Sequence, residues 1–481
     1  MTESVALPVW LVSLLGFLAV WAVLDRLLVP SLRWFMRQRT NRLINEINTR
    51  LRIEIQPFQW TKRQVLIDRL MYDPKVQEVA EAYAREHGMP RQVVMTTIRR
   101  YAQEIVPAFN AYLYFRFGYW LSRRIARLLY RVRLAYADEA GLAAIPTGAS
   151  VVFVMNHRSN MDYILVGYLA ADRTTLSYAV GEWARIWPLQ TLIRAMGAYF
   201  VRRDSHDRLY RRVLERYVCM ATAAGVPQAM YPEGGLSRNG ALRAPKLGLL
   251  DYMLRGFDSQ DERDLVFVPV GINYDRTLED RTLLRVQEPG ASKRGAIFAM
   301  ATTVRFLLHN LRLMLQNRWY RFGYACVTFG APISMRAYLA QRALDFHALP
   351  REERFARVEQ LGQELMAAVG AVIPVLPVSL VATVFVQPPH TPLSELELKA
   401  RVHSLMCTLE TQGAHLYIPR QDQDYAITVG LRALTLRHLV TENDGLYAAQ
   451  PHELAVLRYY ANSIAHLLPL RQSDPRQSPP P

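Results

Sequence analysis

The chain has 481 residues, 51% of them hydrophobic, so it is long enough for two or three domains with buried cores. Its formal net charge of +16 favours anionic partners, either phospholipid headgroups or nucleic acid. The sequence contains no zinc-finger, RNA-recognition or helix-turn-helix signature, so we expect no nucleic-acid partner. Cys219, Cys326 and Cys407 lie far apart without metal-ligand spacing, so we predict neither a disulfide framework nor a bound metal.

An apolar run over residues 5–24 is long enough to span a bilayer as a helix. The segment before it carries Glu3 and no small-x-small cleavage site follows, which argues against a cleaved signal peptide. Arginines follow the run, and by the positive-inside rule they mark the cytoplasmic side. We therefore predict a membrane anchor over residues 1–30. Because Pro8 and Gly16 interrupt the run, a helix lying in the membrane interface remains an alternative.

Residues 31–140 are predicted to form a helical domain, with the helical pattern continuing to about residue 137. Asp73 and Pro74 open one helix that Gly88 ends, and a second helix runs to Ile105. A third, over residues 112–131, mixes arginines with aromatic residues. Its pattern fits either a solvated face or a helix lying against lipid headgroups.

Strand and helix patterns alternate over residues 141–335. The predicted strands cover residues 151–155, 176–180, 198–202, 228–231, 265–272 and 325–329. This alternation predicts an α/β domain with a mostly parallel sheet and flanking helices. Such sheets place their chemistry at the carboxyl ends of the strands, so this is the predicted catalytic domain.

Residues 336–471 are predicted to form a mainly helical C-terminal domain, and residues 472–481 a disordered tail. Within that domain, the apolar stretch 372–386 is too short for a membrane span and contains two prolines. We predict a buried strand or a lipid-facing groove wall there. A helix is predicted to restart at Thr391 and Pro392, and helical patterns continue to about residue 468.

The stretch around His157 carries the strongest chemical signal. Five apolar residues predict a buried strand, and His157 and Asp162 follow it with four residues between them. A tight loop or first helical turn could bring the carboxylate back onto one imidazole nitrogen, which leaves the other nitrogen free to take a proton from a hydroxyl. The alternative is a helix-capping loop in which His157 only forms a structural hydrogen bond.

Two further stretches contain groups that suit an anion. Arg202 and Arg203 end a predicted strand, where a guanidinium could bind phosphate or merely cover the edge of the sheet. After the next strand, glycines allow close backbone approach to a ligand and are accompanied by a hydroxyl and two cations. The members of this second group are Glu233, Gly234, Gly235, Ser237, Arg238 and Lys246.

Other enzyme classes lose ground because their motifs are missing from the sequence. The chain contains no GxSxG, GxGxxG, GxxxxGK[ST] or HExxH motif. Serine hydrolases, dinucleotide enzymes, P-loop ATPases and zinc proteases are therefore disfavoured. The apolar segment 268–274 is predicted to be core or the wall of an apolar ligand site.

Taken in order, these stretches resemble the four motif blocks of the glycerolipid acyltransferases, within which the bacterial membrane glycerol-3-phosphate acyltransferases are the most similar branch. The blocks are residues 156–162, with the family's His-x4-Asp, 197–203, 233–238 and 268–270. The similarity extends to residues 73–74, 377–383 and 459–466. One departure is Leu236, where many relatives carry arginine in the third block.

The resemblance implies acyl transfer from acyl-CoA or acyl-carrier-protein to the first hydroxyl of glycerol 3-phosphate, at the inner membrane and without a cofactor. It implies His157 as the base and Asp162 as its partner. Substrate binding would fall to residues of the first three blocks, Arg158, Arg202, Arg203, Glu233, Gly234, Gly235 and Ser237, with Arg238 and Lys246 added on physical grounds. Anionic phospholipid would be a further partner.

Two alternatives stay open from the sequence. Dihydroxyacetone phosphate or lysophosphatidate could be the acceptor, because the same motifs would serve them. A non-catalytic scaffold that binds anionic lipid through its arginine-rich helices belongs to a different class. It would tolerate loss of His157 and Asp162 with its lipid binding intact.

Overall fold

The computed structural model of the chain describes residues 63–110, 114, 118–170, 177–180, 189–202, 206–285, 321–346 and 348–468. The predicted anchor over residues 1–30 and the tail over 472–481 lie outside these ranges. Within the described residues, no helix combines the length and apolar character needed to cross a bilayer.

In the part of the chain that the structure describes, four helices precede the sheet: α1 (Arg63–Met71), α2 (Pro74–His87), α3 (Arg91–Ile105) and α4 (Tyr119–Leu129). The predicted start and end of α2 are confirmed. The Asp73 carboxylate accepts hydrogen bonds from the first backbone N–H groups of α2, and Gly88 ends the helix at φ +61°. Apolar residues of α2 and α3, such as Val76 and Ile98, share one buried cluster with helices of the α/β region.

The predicted α/β class is confirmed. Eight strands form one sheet: β1 (Arg131–Ala137), β2 (Ser150–Met155), β3 (Ser177–Val180), β4 (Tyr199–Phe200), β5 (Gln228–Met230), β6 (Leu265–Tyr274), β7 (Tyr324–Phe329) and β8 (Ile333–Ser334). Their order is β1-β7-β6-β2-β5-β3-β4, with β8 paired to β6. The five strands from β6 to β4 are mutually parallel, whereas β7 and β8 run antiparallel to β6.

Helices flank the sheet, which explains why the central strands show no polar alternation. They are α5 (Glu139–Ala143), α6 (Asp162–Ala170), α7 (Leu189–Ala195), α8 (Arg208–Ala223), α9 (Gly248–Arg255), α10 (Asp280–Arg285) and α11 (Met335–Arg342). Every residue of β2 and of β6 is buried. The sequence of a strand that is covered on both faces is a continuous apolar run.

The prediction of helix up to about residue 137 was wrong for the last seven residues. Residues Arg131–Ala137 form β1, which pairs in parallel with β7 at the edge of the sheet. Its residues are exposed or half-buried, so arginines are tolerated there. The strand is specified by its distant partner β7, whose pairing a local helical pattern does not reveal.

The C-terminal region contains α12 (Arg351–Ala371), α13 (Pro377–Val386), α14 (Glu395–Thr411), α15 (Gln423–Thr435) and α16 (Leu454–Ala461). A small antiparallel sheet has the order β10-β11-β9, with β9 (Leu393–Ser394), β10 (Val440–Asn443) and β11 (Leu446–Ala449).

Three local predictions in this region were wrong. The stretch predicted as a strand or groove wall contains α13, which is buried on all sides and therefore shows no helical periodicity in its sequence. Pro377 occupies its first turn, where a missing N–H costs nothing. The next helix begins at Glu395, because Ser394 and Glu397 form a capping box. The β10–β11 hairpin interrupts the predicted helices, and Asp444 and Gly445 form its turn with positive φ.

Candidate active site

The parallel strands bring the sequence motifs to one edge of the sheet. His157 follows β2, Arg202 follows β4, and residues 231–235 follow β5. Because these strands are parallel, their carboxyl ends lie at the same edge. The Asn156 side chain fixes the first of these ends. Its amide donates to the Ile272 carbonyl of β6 at 2.9 Å and its oxygen accepts from the Ile272 N–H at 2.8 Å.

His157 and Asp162 meet as the spacing predicted. His157 Nδ1 lies 2.8 Å from Asp162 Oδ2, and both side chains are buried, with 2% and 0% exposed. The carboxylate holds the proton on Nδ1, so Nε2 keeps its lone pair. The imidazole also stacks on the Tyr231 ring, with centroids 4.1 Å apart. The ring is therefore fixed in its tautomer and in its plane.

Asp162 accepts three more hydrogen bonds in addition to the one from His157. The backbone N–H groups of Arg158 and Ser159 donate to Oδ2 at 2.7 and 3.0 Å. The Tyr274 hydroxyl, at the end of β6, donates to Oδ1 at 2.6 Å. Burial and the charge of Asp162 hold the pKa of Tyr274 well above its ordinary value, so Tyr274 remains a donor.

A second, half-buried carboxylate supports the loop between His157 and Asp162. Glu279 accepts from the Ser159 hydroxyl at 2.7 Å and from the Asn160 N–H at 3.2 Å. Burial raises the pKa of Glu279 above its ordinary value. Sequence reasoning missed Glu279 and Tyr274. The position of Tyr274 after an apolar strand was the available signal, because that strand could have been placed beside β2.

The second imidazole nitrogen of His157 faces a cavity. Nε2 is buried and has no hydrogen-bond partner among the described residues. His157 lines a cavity of about 280 Å³. An unpartnered buried nitrogen costs free energy unless a ligand group occupies its hydrogen-bonding direction. This nitrogen is therefore the chemical centre of the cavity.

The third block contributes to the site in two ways. Gly234, Gly235 and Lys246 line the cavity. Glu233 lies behind it, where its Oε1 accepts the His157 N–H at 2.8 Å. Burial raises the pKa of Glu233 to about 7, against the opposing effects of that hydrogen bond and of Arg158. Glu233 thus holds the backbone of the histidine.

Arg202 lines the cavity but already has a partner. Its guanidinium donates two hydrogen bonds to the Glu104 carboxylate of α3, at 2.8 and 2.7 Å. The Glu104 side chain holds the pKa of Arg202 above its ordinary value. Arg203 lies outside the described residues. Phosphate binding by either arginine stays a prediction.

The remaining predicted site residues do not line the cavity. Arg158 is buried, donates to the Gly240 carbonyl at 2.6 Å, and lies over the Tyr459 ring at 5.1 Å. Ser237 donates to the Ala241 carbonyl at 2.6 Å, so its hydroxyl closes the loop of the third block. Arg238 is exposed on the same loop. Their contact with substrate stays a prediction.

A buried polar cluster joins the C-terminal region to β6. Asn273 donates to the Pro374 carbonyl at 2.9 Å and contacts the hydroxyls of Ser379 and Ser463. The Asp275 carboxylate accepts from the Val378 N–H at the start of α13, at 3.1 Å. The C-terminal stretches noted for their resemblance therefore pack against the strand that supports the site.

Comparisons with known proteins agree with this arrangement. A family model described as acyltransferase matches residues 138–273, and one described as the glycerol-3-phosphate acyltransferase C-terminal region matches residues 307–471. A glycerol-3-phosphate acyltransferase of Pseudomonas putida (strain W619) is 28% identical over 85% of this chain and 49% of its own length. One from Aeromonas hydrophila is 26% identical over 84% of this chain and 50% of its own length.

Among the relatives from Xanthomonas, the protein of Xanthomonas axonopodis pv. citri is 27% identical over 71% of this chain and 38% of its own length. The chain thus spans half or less of the length of these curated relatives. A solved structure, the 1-acyl-sn-glycerophosphate acyltransferase PlsC from Thermotoga maritima, has a TM-score of 0.29 at 16% identity, covering 53% of this chain and 77% of that one. The resemblance carried by the four blocks is confirmed as a similarity: residues 138–273 match the acyltransferase model, and residues 307–471 match the model of the glycerol-3-phosphate acyltransferase C-terminal region.

Proposed function

We propose that the chain transfers a fatty acyl group from acyl-CoA or acyl-carrier-protein to the sn-1 hydroxyl of glycerol 3-phosphate. The product would be lysophosphatidate, in the first step of phospholipid synthesis. One observation carries the proposal: His157 is oriented by Asp162 at Nδ1, and its unpartnered Nε2 faces a cavity lined by cations. The relatives named glycerol-3-phosphate acyltransferase support this choice of acceptor.

In the proposed reaction, His157 Nε2 takes the proton of the acceptor hydroxyl as its oxygen attacks the thioester carbonyl carbon. The C–S bond then breaks, and the proton passes from the imidazolium to the departing thiolate. Asp162 stabilises the imidazolium that forms in between. The thioester is already activated, so no covalent enzyme intermediate and no cofactor is required.

The character of the cavity suits a phosphorylated acceptor. Three cationic side chains line it, Arg202, Arg211 and Lys246, and none of the described lining residues is acidic. Apolar side chains such as Val180, Leu214 and Leu249 line the same space and could accommodate part of an acyl chain. A dianion beside an apolar wall is the combination that this reaction brings together.

We further propose that the protein works on the cytoplasmic face of the inner membrane, against anionic phospholipid. Support comes from α4 and β1, which expose Trp120, Leu128, Leu134 and Tyr136 with 41–52% of each residue accessible. The guanidinium of Arg124 lies over the Trp120 ring at 5.9 Å. Cations mixed with exposed aromatic and aliphatic groups match the headgroup layer of a bilayer.

The test is an assay of the purified protein with palmitoyl-CoA and, separately, palmitoyl-carrier-protein. Glycerol 3-phosphate, dihydroxyacetone phosphate and lysophosphatidate are offered as acceptors. We expect thiol release that depends on glycerol 3-phosphate, together with formation of lysophosphatidate. Preference for another acceptor would overturn the substrate assignment. Absence of thiol release with every acceptor, with binding to anionic vesicles retained, would favour a lipid-binding scaffold instead.

A further inference from the structure

The three cations of the cavity differ in what already binds them. Arg202 gives two hydrogen bonds to Glu104, and its guanidinium is bracketed by the rings of Tyr101 and Tyr210, at 5.0 and 4.9 Å. When an arginine is paired with a carboxylate, the two charges nearly cancel, so the pair attracts a phosphate only weakly. Releasing it for a phosphate would break a partly buried ion pair. Arg202 is thus poorly placed to be the main phosphate ligand.

Arg211 lies on the first turn of α8 and is exposed at the cavity. Its Nη2 makes one long contact, 3.5 Å, to the His206 carbonyl, and it forms no ion pair with a carboxylate of the described chain. The charge of Arg211 lowers the pKa of Tyr252 on α9, against the dominant raising effect of burial. Tyr252 lines the same cavity, so the guanidinium acts across this space.

Lys246 approaches from another element, the loop before α9. Its backbone N–H donates to the Pro232 carbonyl at 2.7 Å, which ties it to the third block. Its aliphatic stem covers Gly234, where an added Cβ would lie 2.6 Å from Lys246 Cδ. Gly234 has φ +69°, a conformation that favours glycine. The glycine therefore makes room for the lysine stem along the cavity wall.

We infer that Arg211 is a phosphate-binding residue of this site, acting with Lys246 from the facing loop, while Arg202 and Glu104 form a neutral part of the wall. This inference rests on the proposed function, since it names the contact of the acceptor's phosphate. A guanidinium without a carboxylate partner offers its donors and its full charge to a phosphate dianion. Two cations from different elements would hold the phosphate while the hydroxyl end reaches His157.

The test compares Arg211→Gln with Arg212→Gln. Arg212 is the matched control because it is the next residue of α8 but pairs with Glu215 at 2.8 Å and does not line the cavity. A charge-assisted hydrogen bond accounts for a factor of about 10–100 in binding. We expect Arg211→Gln to raise the KM for glycerol 3-phosphate by about that factor, with kcat and the KM for palmitoyl-CoA little changed. Arg212→Gln should behave like the wild type.

Two further measurements sharpen the result. Inorganic phosphate should inhibit competitively against glycerol 3-phosphate, and Arg211→Gln should weaken that inhibition in parallel. Arg211→Lys, which restores the charge, should recover part of the affinity. An active wild type whose KM values are unaffected by Arg211→Gln would overturn the inference and leave the proposed function standing. A rise confined to the KM for palmitoyl-CoA would also overturn it. A wild type inactive with glycerol 3-phosphate would instead refute the proposed function.

Discussion

Replacing Tyr274 by phenylalanine should lower kcat with little change in the KM for glycerol 3-phosphate. Tyr274 donates one of four hydrogen bonds to Asp162, at 2.6 Å, and the other three come from His157 and two backbone N–H groups. Without this donor, the buried carboxylate loses the group that holds its Oδ1 atom. His157, which Asp162 orients through Oδ2, would then be less precisely aimed at the acceptor hydroxyl.

The size of the effect follows from the bond that is lost. A hydrogen bond to a charged group is worth about 1.5–3 kcal/mol, and a tenfold change in rate corresponds to about 1.4 kcal/mol. If a third to a half of that energy is lost from the transition state, kcat should fall by a factor of about 3–10.

The assay measures kcat and the KM for glycerol 3-phosphate at saturating palmitoyl-CoA. Tyr130→Phe is the matched control, because Tyr130 is buried against Tyr274, with ring centroids 5.3 Å apart, and its hydroxyl donates to the Arg276 carbonyl at 2.8 Å. It removes a comparable hydroxyl without touching Asp162. An unchanged kcat in Tyr274→Phe, or the same loss of kcat in Tyr130→Phe, would refute the reasoning.

Three further predictions concern the base, a buried acid and the C-terminal contact. His157→Ala should lower turnover by about 10²–10⁴ with the circular dichroism spectrum unchanged, since the aspartate keeps its other donors; retained turnover would contradict the base assignment. The pKa of Glu233 is raised to about 7, so the wild-type free energy of unfolding should fall by about 1.4 kcal/mol per unit as pH rises from about 4.5 to 7, relative to Glu233→Gln. Urea titrations of the wild type and of Glu233→Gln at pH 5 and 7 measure this change. If the free energy of unfolding changes equally with pH in both proteins, the prediction is wrong. Arg437→Met leaves Asp280 buried without its 2.6 Å partner and should lower the free energy of unfolding by about 3–5 kcal/mol by urea titration, whereas the exposed Arg281→Met should cost less than about 1 kcal/mol. Equal losses in the two arginine variants would contradict it.

The sequence was sufficient to predict the contact between His157 and Asp162 and most strands of the sheet, because both follow from local patterns. An apolar run followed by a histidine and a nearby aspartate specifies the strand, the loop and their contact within a few residues. Because the strands are parallel, Gly234 and Gly235 line the same cavity as His157. These features need only the rule that parallel strands end at one edge.

Residues that act through long-range contacts were not predictable in this way. Tyr274 reaches Asp162 across 112 positions of sequence, and Glu104 reaches Arg202 across 98. Arg211 is one of several arginines on α8, and only the fold shows that it lines the cavity. The strand β1 and the buried helix α13 escaped prediction for related reasons. One depends on a distant partner strand, and the other lacks an amphipathic pattern.

Three consecutive residues, the last two of β6 and the one after it, link the candidate active site to the C-terminal region. Side chains alternate along a strand, so Tyr274 points toward Asp162 while Asn273 and Asp275 point toward α13 and the segment after α16. Burial raises the pKa of Asp275 to about 6, and two backbone N–H groups oppose that rise. If the C-terminal region were removed, Asn273 would lose its contacts to Pro374, Ser379 and Ser463, at a cost of about 1–3 kcal/mol for each polar group left buried without a partner. Asp275 would lose the Val378 N–H and keep that of Tyr324. The strand end whose Tyr274 holds the Asp162 carboxylate would lose its support as well. The α/β region and the C-terminal region therefore form one structural unit at this site, although separate family models match them.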